Sequence, residues 1–173
     1  MNLSELGEYK HKVAALLAQD DTIINLLLGP VDDDTDTDEM LLGDKSISTG
    51  HIYEFEYVPE INETADTYLC METVVAKAPS DTAYRVYLYI FAYCNKKVMK
   101  SYRYPGVLGT KADVLAMNVD RLLNGSEDFG IGKVRLLNND VYKPNNNYYG
   151  RCITYEVMAF NRKMGGAKSI THD

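Results

Sequence analysis

"YRVYLYIFAYC", residues 84 to 94, constrains the fold more than any other stretch of this chain. Its apolar residues run in two interleaved sets, the pattern of a β-strand whose neighbouring side chains point to opposite faces. Val86, Leu88, Ile90 and Ala92 form one face, and Tyr87, Tyr89, Phe91 and Tyr93 the other. A strand of an antiparallel sheet usually turns one polar face to water. Neither face is polar here, so whatever covers the aromatic side must be found elsewhere in the chain or in a partner.

The surrounding pattern predicts an α+β domain. A helix is expected over about 4–18, where Leu3, Leu6, Val13, Leu16 and Leu17 fall near helical spacing, followed by a short turn in "TIINLLLG" that Gly29 and Pro30 end. Strands are expected near 52–58, 66–77, 84–95, 133–141 and 150–160, with a second long helix over 110–124. Thr110 caps that helix and Asn124-Gly125 stops it. The links within 66–95 and within 132–161 are of hairpin length, so the expectation is an antiparallel sheet of about five strands with helices packed on one face. Residues 1–161 read as a single domain carrying an acidic loop at 31–50, and 162–173 as a flexible tail.

Composition narrows the function classes. A net charge of −7 argues against a free-standing nucleic-acid binder, which needs a basic patch for phosphate. "NKKVMKSYRY" (95–104) is the only basic cluster and reads as a solvated strand end. No apolar run approaches the length of about 20 residues that spans a bilayer, and the first residues, "MNLSELGEYKHK", lack the apolar core of a secretion signal. Fourteen tyrosines against four phenylalanines and no tryptophan favour surfaces that are wet in one state and covered in another.

The residues that carry catalysis or metal chemistry in other proteins do not converge here. His11, His51 and His172 are scattered, and Cys70, Cys94 and Cys152 are far apart in apolar segments, which suits reduced core thiols in a cytoplasmic setting. The acidic run Asp32, Asp33, Asp34, Asp36, Asp38 and Glu39 lacks the glycine and the final glutamate of an EF-hand loop in either register, so it reads as solvated. Gly130-x-Gly132 lacks the third glycine and the preceding strand of a dinucleotide fingerprint. Glu54 and Glu56 would share one side of a strand, which permits a paired-carboxylate site, but alternate exposed residues of an edge strand are the commoner meaning. No catalytic, cofactor or metal residue is therefore assigned, and the chain is not expected to be an enzyme.

The order of elements resembles the tail terminator (tail completion) proteins of tailed bacteriophages. The likeness is carried by the N-terminal helix, "FEYVPE" (55–60), the long hairpin, "GTKADVLAMNVDRLLNG" (109–125) and "YYGRCITYEVMAFN" (148–161). What the resemblance implies is a structural virion protein of the tail or neck, assembled in the bacterial cytoplasm. Such subunits close into a ring, commonly of six, that caps the tail tube, stops its polymerisation and offers a surface to the head connector or stopper. The implied partners are thus other copies of the chain, the tail tube protein and the connector, with DNA sliding through the pore without specific binding. In such a ring Tyr87, Tyr89, Phe91 and Tyr93 would be buried by a neighbour. Two alternatives stand beside it: another neck component (a stopper or adaptor), and a small regulatory domain that dimerises through the aromatic face.

Overall fold

A computed structural model of the chain describes residues 3–32, 34–43, 50–60, 65–80, 83–100, 106–129 and 132–160. Asp33 and residues 44–49 of the acidic loop, the end of the basic stretch, Gly130, His172 and the expected tail at 162–173 lie outside the described residues. In chain order the elements are α1 (Leu3–Ala18), α2 (Asp21–Leu28), α3 (Thr37–Leu42), β1 (Ile52–Tyr53), β2 (Thr67–Ser80), β3 (Ala83–Asn95), α4 (Lys111–Leu123), β4 (Val134–Tyr142) and β5 (Tyr148–Phe160).

The strands form one sheet in the order β1-β2-β3-β5-β4. β2 pairs with β3, β3 with β5 and β5 with β4, all antiparallel. The α+β class holds, with one correction: β1 runs parallel to β2, so the sheet is mixed. The reason lies in the connection. The chain enters β1 from the helical layer and leaves it over the far face of the sheet, so no tight hairpin reverses it into β2.

α1, α2 and α4 cover one face. Val86, Leu88, Ile90 and Ala92 of β3 are buried there with Leu69 and Met71 of β2 and Ile153, Tyr155 and Val157 of β5. Tyr9, Val13 and Leu17 of α1, Ile23 and Leu27 of α2, and Leu115, Val119 and Leu123 of α4 close on them from above. At about 1.5–3 kcal/mol for each large side chain fully buried, this layer supplies most of the stabilisation.

The helix ends follow from their caps. Asp20 Oδ1 accepts from the N–H groups of Thr22 and Ile23, both at 3.1 Å, and Gly29 at φ 81° ends α2. Thr110 and Asp113 form a reciprocal capping box at the start of α4. The stretch 31–50 was expected to be loop throughout, and α3 corrects that. Asp36 accepts from the Glu39 N–H at 3.2 Å, which starts a helix that Gly43 ends.

Asp113 also ties the helix layer to the sheet, since Arg151 Nε and Nη2 each lie 2.7 Å from its Oδ1. Burial alone would raise the Asp113 pKa, but the Thr110 N–H and hydroxyl together with Arg151 outweigh it and hold the group below its ordinary 3.8. A depressed carboxylate pKa stabilises the fold above the unfolded value and loses that contribution as pH falls through the folded one. Asp113→Asn is therefore expected to cost about 1–2 kcal/mol at neutral pH and to flatten the acid limb of the stability profile below about pH 4. Urea titrations of both proteins from pH 7 to pH 3 check this.

Candidate functional site

The register of the sheet lines up the second, outer face in rows across β2, β3, β5 and β4. The first row is Tyr68, Tyr93, Gly150 and Tyr142, and the next is Cys70, Phe91, Cys152 and Asp140. Glu72, Tyr89, Thr154 and Asn138 follow, then Val74, Tyr87, Glu156 and Arg135. The face thus grades from aromatic at one end to charged at the other.

The aromatic end is covered by the chain itself. Tyr53, Tyr68, Cys70, Tyr93 and Tyr148 make a second buried cluster, with Tyr57, Phe91 and Tyr142 packed against it. The cover is the segment 54–60, which runs as a strap over the first rows. A strand had been expected over 52–58, but it stops at Tyr53. Instead of alternating along an edge, Tyr53 and Tyr57 stack face to face, with ring centroids 4.3 Å apart.

Each point of the strap is fastened by a different element. Lys10 Nζ donates to the Glu54 carbonyl at 2.5 Å, and His11 Nδ1 lies 2.9 Å from Glu54 Oε1. The Tyr142 hydroxyl donates to Glu56 Oε1, the Tyr93 hydroxyl to the Tyr57 carbonyl, and Asn145 Nδ2 to the Pro59 carbonyl at 3.1 Å. The buried Pro59 completes the cover.

Electrostatics follow the burial. Burial pushes the Cys70 thiol up to about 11, against the hydrogen bonds it makes with Tyr93 and with the Tyr57 carbonyl. The Tyr93 phenol is raised by burial and then by Cys70, and the Tyr142 phenol by burial and then by the Glu56 carboxylate. These hydroxyls and thiols are neutral donors that tie the strap down. On the helix-covered face, burial likewise pushes Cys94 up to about 11, opposed by Lys111 and the Ala112 N–H.

Of the four aromatic residues singled out in the sequence, the structure separates one pair from the other. Tyr93 is fully buried within the single chain, which corrects its assignment to an interface: its ring is already enclosed by Tyr68, Tyr142 and Tyr148. Phe91 is partly covered, with its ring centroid 4.7 Å from that of Tyr142. Tyr87 and Tyr89 are half-buried on the open rows, beyond the strap. Glu54 and Glu56 are bound to different partners, His11 and Tyr142, rather than to a shared site. His51 turns its Nδ1 to the Thr67 carbonyl at 2.8 Å. The three cysteines are free, with Cys70 and Cys94 buried and Cys152 half-buried. Among the described residues no group of three His, Cys, Asp or Glu side chains is placed to hold a metal ion, and no helix is long and apolar enough to cross a membrane.

Sequence reasoning missed Gly150, Tyr68, Tyr142 and Tyr148. The "NNNYYG" turn carried the only signal, a glycine directly after two tyrosines. Its meaning depends on a register that a single sequence does not give.

The fold and this face define an α+β protein with a five-stranded mixed sheet, helices on one side and a tyrosine-rich, strapped second side among the described residues. A family model, YomW, matches residues 20–157, and the chain belongs to that family. No curated protein matches the chain.

Proposed function

We propose that this protein is a structural subunit of a tailed-virus particle: a tail terminator that closes into a ring on the end of the tail tube, halts its growth and meets the head connector. The observation that carries the reading is an outer sheet face that the described residues leave partly open. Among the described residues, helices cover one face only, the strap covers part of the other, and Tyr87, Tyr89 and Val74 stay partly or largely exposed. A sheet left in this state suits a subunit whose neighbours complete it. The element order on which the resemblance rests is also the order found, from the N-terminal helix through the long hairpin to α4 and the last hairpin.

The charge fits the same role. A ring carrying −7 per subunit does not grip a polyanion sliding through it. The role is structural, with no catalytic residue, cofactor or metal assigned.

Native mass spectrometry of the purified chain, followed by electron microscopy after mixing with polymerising tail tube protein, tests this. The expected result is a closed ring, commonly of six, seated on tube ends that stop growing. A ring that binds the connector but not the tube supports a stopper or adaptor instead. A dimer indifferent to both overturns the reading in favour of a small binding domain.

A further inference from the structure

Among the described residues ten large apolar side chains are exposed; Phe55, Val58, Leu108 and Met117 lie on the strap, a loop and α4, and the other six lie toward the two opposite edges of the sheet. At one edge lie Met40 and Leu42 of α3 and Val74 of β2, 45%, 38% and 48% exposed. At the other lie Leu136, Leu137 and Val141 of β4, 41%, 51% and 52% exposed. β1 pairs only with Leu69 and Cys70, so among the described residues β2 beyond Cys70 is an open edge just as β4 is. Three strand spacings separate β2 from β4, about 14 Å.

The charges beside these apolar groups are opposite. Asp38 and Glu39 are exposed on α3, and Glu72 stands on β2, with Lys10 as its basic neighbour at 3.7 Å. Lys133, Arg135 and Lys143 are exposed on β4 and at its two ends, where Asp140 is held by Asn138 Nδ2 at 2.7 Å and Glu56 of the strap by the Tyr142 hydroxyl.

We infer that these edges are the two halves of one contact: the α3–β2 edge of one copy docks against the β4 edge of the next. The inference rests on the ring reading and deepens it by moving the main contact from the aromatic face to the edges. Two different patches meeting head to tail generate a ring when the rotation closes, whereas one patch meeting itself gives a two-fold dimer. The β-bulge at Leu137 interrupts the β4 ladder, so the edges meet through side chains rather than by adding a strand. That keeps the contact specific, because an unbroken edge accepts any extended chain.

Two charge-reversal variants test it, Asp38→Lys with Glu39→Lys, and Arg135→Glu with Lys143→Glu. All four positions are exposed, and circular dichroism checks that each variant is folded. Native mass spectrometry and sedimentation compare the wild type, each variant alone and the two mixed in equal amounts. Each variant alone is expected to need a subunit concentration about tenfold higher or more to assemble. The mixture is expected to regain wild-type assembly, with the two variants alternating. Variants that assemble as well as the wild type, or a mixture that stays dissociated, overturn the edge contact and leave the ring reading standing. A wild type that remains monomeric at every concentration overturns both.

Discussion

Replacing Gly150 by alanine is expected to destabilise the fold by about 3 kcal/mol or more, lowering the melting temperature by about 6–12 °C. Gly150 lies between Tyr93 on β3 and Tyr142 on β4 in the first row of the outer face. The rings of those tyrosines meet 5.5 Å apart, centroid to centroid, and the bare backbone of Gly150 gives them room. A Cβ there would stand 2.5 Å from Tyr93 Cα and closer still to the Ala92 carbonyl oxygen and Tyr93 Cβ. Two of those three atoms are backbone, so no rotamer change relieves the clash, and β3 and β5 must move apart at the centre of the sheet. Calorimetry of Gly150→Ala against the wild type checks this, and an unchanged melting temperature would refute the register.

Tyr93→Ser is expected to be comparably severe, about 3–5 kcal/mol from lost burial and the cavity left behind. The substitution also removes the donor to the Tyr57 carbonyl and the partner of Cys70 Sγ, 3.4 Å from the Tyr93 hydroxyl. Tyr89→Ser, four residues away on the same face, is expected to cost less than about 1.5 kcal/mol, because its side chain is only half-buried. Urea unfolding of the two variants separates core from surface. A Tyr93→Ser protein as stable as the wild type but unable to assemble would return Tyr93 to an interface.

The contrast between these tyrosines shows how far the sequence could be read. β3 was legible because its alternation is unbroken, and α4 because Thr110 caps it, Asn124-Gly125 ends it and its apolar residues keep helical spacing. The aromatic face was legible as a face but not as two halves. Tyr87, Tyr89, Phe91 and Tyr93 have the same local pattern, and only the strap's path distinguishes them. That path depends on contacts such as Tyr142 with Glu56, which lie 86 residues apart. α3 was hidden for a different reason. Asp36 and Glu39 make a helix start, but the density of carboxylates around them favoured a solvated loop. The parallel direction of β1 followed from no residue within it, since a two-residue strand carries no pattern to read.

The sheet is built from two hairpins that never share a turn, and this sets the order in which the molecule can fold. β2 with β3, and β4 with β5, close locally through short connections. The seam between them pairs Asn95 with Tyr148 and Ala83 with Phe160 across all of α4 and its flanking loops. Closing that seam carries the main loop-closure entropy, so its formation is expected to limit the folding rate while the hairpins equilibrate ahead of it. The strap is expected to dock last. Its anchors, Tyr93 on one hairpin and Tyr142 on the other, stand side by side only after the seam has zipped. Its backbone amides are therefore expected to exchange with solvent before those of β3, with the tyrosine cluster opening to water while the helix-covered core is still closed, an order that hydrogen-exchange mass spectrometry checks.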